Sequence, residues 1–454
     1  MERKMMAQLI AWKDKPGRKP LLLTGVRQCG KTYLLKQFGK EYFEDFAYYN
    51  FEEDDTLSSV FDYDLKVERI IDELGNVIRG KEICPGKTLL VLDEMQVCPR
   101  AITSLKYFQE NLPELHVIAA GSLLGVAIGK GGISFPVGKV NRLQMYPMSF
   151  EEFVIADGGE RLIRGLRRAE INQPLSEAYT VPLTKYLKLY YIVGGMPAAV
   201  KQWTETHQME PVMEIQDEII KDYADDFAKH APLSDLPKLR LIWDSIPAQL
   251  ARDNHKFIFS HVKSGARTRD LEDAMRWLVE AGLIHQLFLV EKPQIPLSDQ
   301  ADFSSFKVYL SDTGLLCRRM KISPRAILEE NDQFVHTKGA LTENYVYTQL
   351  ISMGIPAWYW QSDANAEIDY LIEGDADTIP VEVKSADNTK AKSLRLFCKK
   401  YKTPQAIKTS MKNVGWSEIE ETKVWSVPLY MLFDVERYVG NETAPDETEA
   451  TPDA

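Results

Sequence analysis

One stretch near the start of the chain has the residue types and spacing to hold a polyphosphate: Gly25-Val26-Arg27-Gln28-Cys29-Gly30-Lys31-Thr32, with Tyr33 directly after it. It follows the apolar run Leu21-Leu22-Leu23-Thr24 and precedes Leu34-Leu35-Lys36-Gln37-Phe38, which predicts strand, loop and helix. G-x-x-x-x-G-K-[ST] in that setting is a phosphate loop. Two glycines let the backbone curl so that its N–H groups converge on phosphate oxygens, and the helix opening at Gly30 adds the positive end of its dipole. Lys31 is placed to reach the β- and γ-phosphates of ATP, and the Thr32 hydroxyl to bind Mg²⁺. Cys29 reads either as a space-filling loop residue or as an oxidation-sensitive thiol.

A second set of candidates lies at 88–94, Thr88-Leu89-Leu90-Val91-Leu92-Asp93-Glu94. A continuous apolar run suits a parallel strand buried on both faces, and ligands bind at the carboxyl ends of such strands. Asp93 is expected to hold Mg²⁺ through water, and Glu94 to act as general base toward the attacking water. The strand 116–120 ends in Gly121-Ser122, and Ser122 is a candidate γ-phosphate sensor. With a further strand at 46–51 and a helix at 67–78, the pattern is that of an α/β doubly wound parallel sheet.

A third set lies late in the chain. Residues 367–372 and 378–384 alternate with period two around the turn Glu373-Gly374-Asp375-Ala376-Asp377. A hairpin centred between Asp375 and Ala376 sets Asp369 opposite Glu382. Facing carboxylates repel unless a cation lies between them. Asp369 and Glu382 are therefore candidate Mg²⁺ ligands, and Glu343 on the preceding helix is a further one. Lys384 is placed to orient or deprotonate a water and to steady phosphate charge. Beyond it run Lys390, Lys392, Arg395, Lys399, Lys400, Lys402, Lys408 and Lys412, with Asp387 the one acid between 384 and 412. A solvated helix face alternates signs, so this run favours contact with a phosphate backbone.

The chain resembles the AAA-type ATPases of bacteria and archaea that carry a C-terminal domain of unknown function. The resemblance is carried by GVRQCGKT at 25–32, LDEMQ at 92–96, AGSLLG at 120–125 and GKVNRLQMYPMSFEEF at 138–153. It implies ATP hydrolysis with Mg²⁺. The family usually has an arginine after the glycine at 138, where this chain has Lys139; Arg142 and Arg100 are weaker substitutes for an arginine finger. The set Glu343, Asp369, Glu382, Lys384 is similar to the restriction-endonuclease-like superfamily, with its D…[DE]-x-K pattern. That resemblance implies an α/β nuclease-like domain and DNA as a partner.

The elements that must position these residues divide the chain into an ATPase domain over 1–155, a helical lid or linker over 156–235, a winged helix–turn–helix over 236–320, a nuclease-like domain over 325–434 and a disordered acidic tail over 435–454. Ser149 and Glu152 form a capping box that marks the end of the ATPase core. The winged helix is read from a helical face with Leu271, Met275, Leu278 and Val279, then strands at 283–290 and 306–310. Its Arg267, Arg269 and Arg276, with Lys256 and Lys263, either face phosphates or leave the module to protein packing.

Composition bounds the rest. The chain has 454 residues and a net charge of −11, of which −5 falls in the tail, which argues against wholesale nucleic-acid binding but does not exclude a local basic face. Five cysteines with no C-x-x-C pair, and seven scattered histidines, make no zinc pattern. No run reaches membrane-span length and the start has no signal-peptide core, so a cytoplasmic protein without membrane contact is expected. Three functional readings stay open: an ATPase coupled to a DNA-cutting module, an ATP-switched protein whose C-terminal domain binds DNA or protein without chemistry, or an interaction scaffold that binds ATP but scarcely turns it over.

Overall fold

The computed structural model describes residues 1–129, 135–252, 256–362, 366–385 and 391–439. Lys390, Asp387 and most of the acidic tail lie outside the described residues. The chain forms two compact units: Met1–Glu160 with Lys188–Gln286 and Val308–His336, and Arg161–Leu187 with Leu287–Lys307 and Thr337–Ala454. Among the described residues no helix is long and apolar enough to cross a membrane.

The first unit is built on a parallel sheet of β1 (Leu21–Gly25), β2 (Asp45–Asn50), β3 (Thr88–Asp93), β4 (His116–Ala120) and β5 (Asn141–Met145), in the order β2-β3-β4-β1-β5. Leu89, Leu90, Val91 and Leu92 are fully buried, as a strand covered on both faces requires. Parallel pairing aligns the carboxyl ends of β1, β3 and β4, so the loop after Gly25, the pair Asp93-Glu94 and Ser122 emerge on one edge. The helix Lys31–Tyr42 turns Leu34, Leu35 and Phe38 into the core, the i, i+3, i+4 stripe visible in the sequence.

The segment Val193-Gly194-Gly195-Met196 is a clasp within this unit. A Cβ on Gly195 would lie 2.0 Å from the Met148 carbonyl oxygen, so only glycine fits there. Met148 N–H donates to Gly195 O at 2.7 Å, and Gly195 N–H donates to Asp312 Oδ2 at 2.6 Å. This sets the helix Pro197–Thr206 beside the phosphate loop, with Pro197 against Gly30.

The second unit centres on a mixed sheet of β6 (Ile284–Val290), β7 (Ala301–Leu310), β8 (Trp358–Gln361), β9 (Glu367–Glu373), β10 (Thr378–Val383), β11 (Gln405–Ser410), β12 (Gly415–Ile419) and β13 (Thr422–Pro428), ordered β12-β13-β11-β10-β9-β8-β6-β7. β8, β9 and β10 make an antiparallel meander, and the helix Lys392–Tyr401 then returns the chain so that β11 pairs parallel to β10. The long helix Asp332–Ser352 precedes the meander.

Three expected boundaries shift. The strands read as a free wing continue the second sheet, Leu289 pairing with Tyr359 of β8, so the 236–320 segment does not close on itself. Residues Arg161–Leu187 group with the second unit, which divides the expected lid of 156–235. The tail does not begin at 435: Val435 and Tyr438 are buried in the helical turn segment Leu429–Tyr438. Period and polarity identify an element but not the element it packs on.

Candidate nucleotide and carboxylate sites

The loop after β1 has the backbone that its glycines predict. Gly25 has φ +154°, with space for no side chain because a Cβ would meet Met145 O at 2.3 Å; Gly30 has φ +96° and Gln28 φ +65°. Lys31 is buried and its Nζ donates to Gly25 O at 2.8 Å and Val26 O at 3.1 Å, so the ammonium is packed inside the loop it serves. The Thr32 hydroxyl donates to Asp93 Oδ2 at 2.8 Å, and the Tyr48 hydroxyl donates to the same oxygen at 2.8 Å. Burial, with Asp93 alongside, pushes the Tyr48 hydroxyl above the usual tyrosine range, so it stays a donor.

Glu94 occupies the left-handed region at φ +53°, a strained place for a residue with a side chain. Its Oε2 accepts from Gln96 Nε2 at 2.7 Å, and lies 3.4 Å from Ser122 N and 3.5 Å from Ser122 Oγ. The expected base and the expected sensor thus share one polar network at the edge of the sheet. A cleft of about 460 Å³ opens there, walled by Gly25, Ser122, Arg142, Gln144 and Glu280. A second cleft of about 440 Å³ lies across the loop, between Arg3, Gly30, Tyr33, Met148, Pro197 and Ala198.

Several residues around the loop carry no sequence signal. Arg3 donates to Cys29 O at 2.9 Å and to Tyr146 O at 2.7 Å, and pairs with Glu152 at 3.1 Å. Glu152 also closes the capping box with Ser149, so the cap does more than end a helix: it anchors the arginine that holds the loop. On the other flank, the helix Met209–His230 sends Asp226 to Arg27 at 2.5 Å, Asp222 to Gln28 at 2.6 Å, and the Tyr223 hydroxyl to Arg27 O at 3.1 Å. Burial outweighs the Arg27 charge and pushes the Asp226 carboxyl up to about 6.

Of the arginine-finger candidates, Lys139 pairs with Glu110 at 3.1 Å, away from the loop. Arg100 donates to Phe61 O at 2.7 Å, and Arg142 alone borders the cleft, stacked on Phe135.

In the second unit β9 and β10 pair Val381 with Tyr370 and Thr378 with Glu373; the same register carried one residue further sets Glu382 opposite Asp369. Asp369 Oδ2 accepts from Val383 N–H at 2.7 Å. Glu382 is 3% exposed; Lys384 contacts its Oε1, and its Oε2 is buried without a hydrogen-bond partner. Burial and the facing Glu382 and Glu343 charges push the Asp369 carboxyl well above the ordinary aspartate range, and burial likewise raises Glu382. The spacing pointed to neither Lys307 nor a role for Glu367. Lys307, fully buried on β7, lies 2.5 Å from Glu367 Oε1 and 3.5 Å from Glu343 Oε2. Among the described residues no three His, Cys, Asp or Glu side chains come together closely enough to form a ready metal cage.

The basic run is carried mainly by the helix Lys392–Tyr401, where Lys392, Arg395, Lys399 and Lys400 are exposed while Leu394, Phe397 and Cys398 face the core. Lys408 is half-buried beside Glu382 on β11.

The loop lies on the edge of a parallel sheet with a hydroxyl–carboxylate pair behind it, and residues 17–154, which include both, match the family model described as AAA domain. Two further models match, both described as domains of unknown function: DUF8612 over 184–326 and DUF4143 over 338–430. The uncharacterized protein Rv2008c of Mycobacterium tuberculosis is 35% identical over 80 residues, 17% of this chain and 17% of that protein, as is Mb2031c of Mycobacterium bovis. The match thus spans under a fifth of these curated relatives.

Among solved structures, the Walker-type ATPase PABY2304 of Pyrococcus abyssi is similar at TM-score 0.45 and 15% identity, covering 70% of this chain and 95% of that one. The ORC2 protein of Aeropyrum pernix, in ADPNP–ADP complexes, is similar at TM-score 0.37 and 12% identity, covering 72% and 93%. At TM-scores below 0.5 these likenesses carry no functional weight.

Proposed function

We propose that the chain is a Mg²⁺-dependent ATPase whose second unit is a restriction-endonuclease-like module acting on DNA. The hydrogen bond from Thr32 to Asp93 carries the first half, because it sets a hydroxyl and a carboxylate together directly behind the phosphate loop. Those two oxygens suit a hard dication, which when bound would neutralise charge on the β- and γ-phosphates. Lys31 exchanges its two carbonyl partners for phosphate oxygens. Glu94, oriented by Gln96, takes the proton of the attacking water, and Ser122 reports the γ-phosphate to Glu94 through their shared network. The apolar side of the cleft at Tyr33, Met148 and Pro197 is of a size to cover the base.

The unpartnered Glu382 oxygen beside Asp369 supports the second half, since a buried carboxylate oxygen with no donor fits a cation. Asp369 and Glu382 would hold Mg²⁺, with Glu343 as a further ligand, and Lys384 would orient a water and steady phosphate charge. The exposed Lys392, Arg395, Lys399 and Lys400 supply contacts to a DNA backbone. The lack of a ready three-ligand cage among the described residues favours a second reading, in which the module binds DNA or protein without cutting and ATP switches its conformation.

The test is phosphate release and DNA nicking by the full chain in ATP and Mg²⁺. Lys31→Ala is expected to lower phosphate release about a hundredfold or more. Unchanged turnover in that variant overturns the ATPase. Asp369→Asn is expected to abolish nicking. Salt-dependent DNA binding with no cleavage by the unaltered chain in any divalent metal selects the second reading.

A further inference from the structure

The carboxylate cluster of the second unit already contains a cation in one of its two halves. The cluster consists of Glu343 on the helix Asp332–Ser352, Glu367 and Asp369 on β9, and Glu382 on β10. Lys307 reaches Glu367 and Glu343 from β7, at 2.5 and 3.5 Å, and its side chain has no exposed surface. Its other face rests on the Tyr359 ring, 5.3 Å from the centroid. The other half, Asp369 and Glu382, has Lys384 on Glu382 Oε1 and nothing on Oε2. Lys408 is half-buried there, paired in register with Glu382.

Resting on the reading of this cluster as a divalent-metal site, we propose that the Lys307 ammonium is a built-in second cation: it occupies the Glu343–Glu367 half permanently and takes Glu343 out of the metal's ligand set, so the module takes a single divalent ion, between Asp369 and Glu382. A lysine nitrogen brings one charge and three donors on a tether and is not lost to chelators, whereas a dication brings two charges and exchanges. With Lys307 taking the Glu343–Glu367 half, Asp369 and Glu382 are the carboxylate pair of this cluster left to a dication. Lys307 acts through the carboxylates it holds and is a positioning residue.

The experiment is a Mn²⁺ titration of the full chain without nucleotide, followed by calorimetry and electron paramagnetic resonance. The stoichiometry of the Asp369→Asn/Glu382→Gln variant is subtracted, to remove Mn²⁺ bound elsewhere. The unaltered chain is expected to bind one Mn²⁺ at this site with the spectrum of an isolated ion. Lys307→Met is expected to bind two, with the spectrum of a spin-coupled pair, and Lys307→Arg to bind one. If Lys307→Met does not fold, the spectrum of the unaltered chain at saturation decides by itself: an isolated ion supports the proposal. A coupled pair in the unaltered chain, or a single ion in folded Lys307→Met, overturns the role of Lys307 and leaves the metal site standing. No Mn²⁺ dependent on Asp369 and Glu382 overturns the metal site itself, and the proposal with it.

Discussion

The phosphate loop and the late carboxylate cluster are both polar sites at the edge of a sheet, yet they are held in opposite ways. The loop offers backbone N–H groups and one buried lysine, and its charged neighbours are paired off around it: Arg3 with Glu152, Arg27 with Asp226. The cluster instead sets four carboxylates from two strands and a helix against fewer cations, and leaves one oxygen without a donor. A site whose charges are matched when empty gains stability from them; a site with surplus like charge gives stability up until a ligand supplies the missing sign. The contrast teaches that the charges of the first site are paired without a ligand, and that those of the second are not.

The largest test of that contrast removes a matched charge. Arg3→Met strands Glu152 and strips the Cys29 carbonyl of the loop and the Tyr146 carbonyl of their donor, and is expected to cost about 3 kcal/mol in chemical denaturation, with no recovery on adding Mg²⁺ alone. A cost under about 1 kcal/mol would show that the ion pair is not what holds the loop.

Next in size is a pH effect on the other flank. Asp226 has its carboxyl raised to about 6 in the folded chain against an ordinary value near 4, so the folded state holds the extra proton in that window. Stability from this group is complete below pH of about 4 and is lost as pH rises through about 6. Relative to Asp226→Asn, the unaltered chain should therefore gain on the order of 2 kcal/mol as pH falls from 6.5 to 4, read from paired denaturation curves at each pH. A flat difference would mean that Arg27 keeps the carboxylate ionised throughout.

The smallest effect has the opposite sign and sharpens the comparison most. Asp369→Asn keeps an acceptor for Val383 N–H while removing a buried charge beside Glu382 and Glu343. In chelator at pH 8 it is expected to stabilise the chain by about 1 kcal/mol, an advantage that disappears in Mn²⁺. Destabilisation of similar size would put the cluster in the same class as the loop.

How much of this was legible differs between the two sites for a physical reason. The phosphate loop is local: glycine spacing, an apolar strand before it and an amphipathic helix after it are all consecutive, and φ values of +154° and +96° at Gly25 and Gly30 follow from residue type. Asp93 and Ser122 end strands whose apolar runs are equally plain. The register of β9 and β10 was also legible, because a short hairpin turn sets it. The capping box of Ser149 and Glu152 could be read, but not that Glu152 reaches back to Arg3, nor that the helix Met209–His230 turns Asp222 and Asp226 onto the loop. Lys307 was invisible, since a lysine in an alternating strand reads as a solvent-facing residue until a helix and a second hairpin close over it.

By itself, then, the amino-acid sequence determined the elements and the chemistry available within each of them: a nest of N–H groups, a strand-end acid pair, an acidic hairpin. Only the tertiary structure decided which strands share a sheet, so that the apparent wing became part of the second sheet through Leu289 and Tyr359, and which distant charges meet. Local patterns report the periodicity and turn preferences of neighbouring residues, whereas the pairing of Lys307 with Glu343 and Glu367 depends on how whole elements bury their apolar faces, a property of all of them at once.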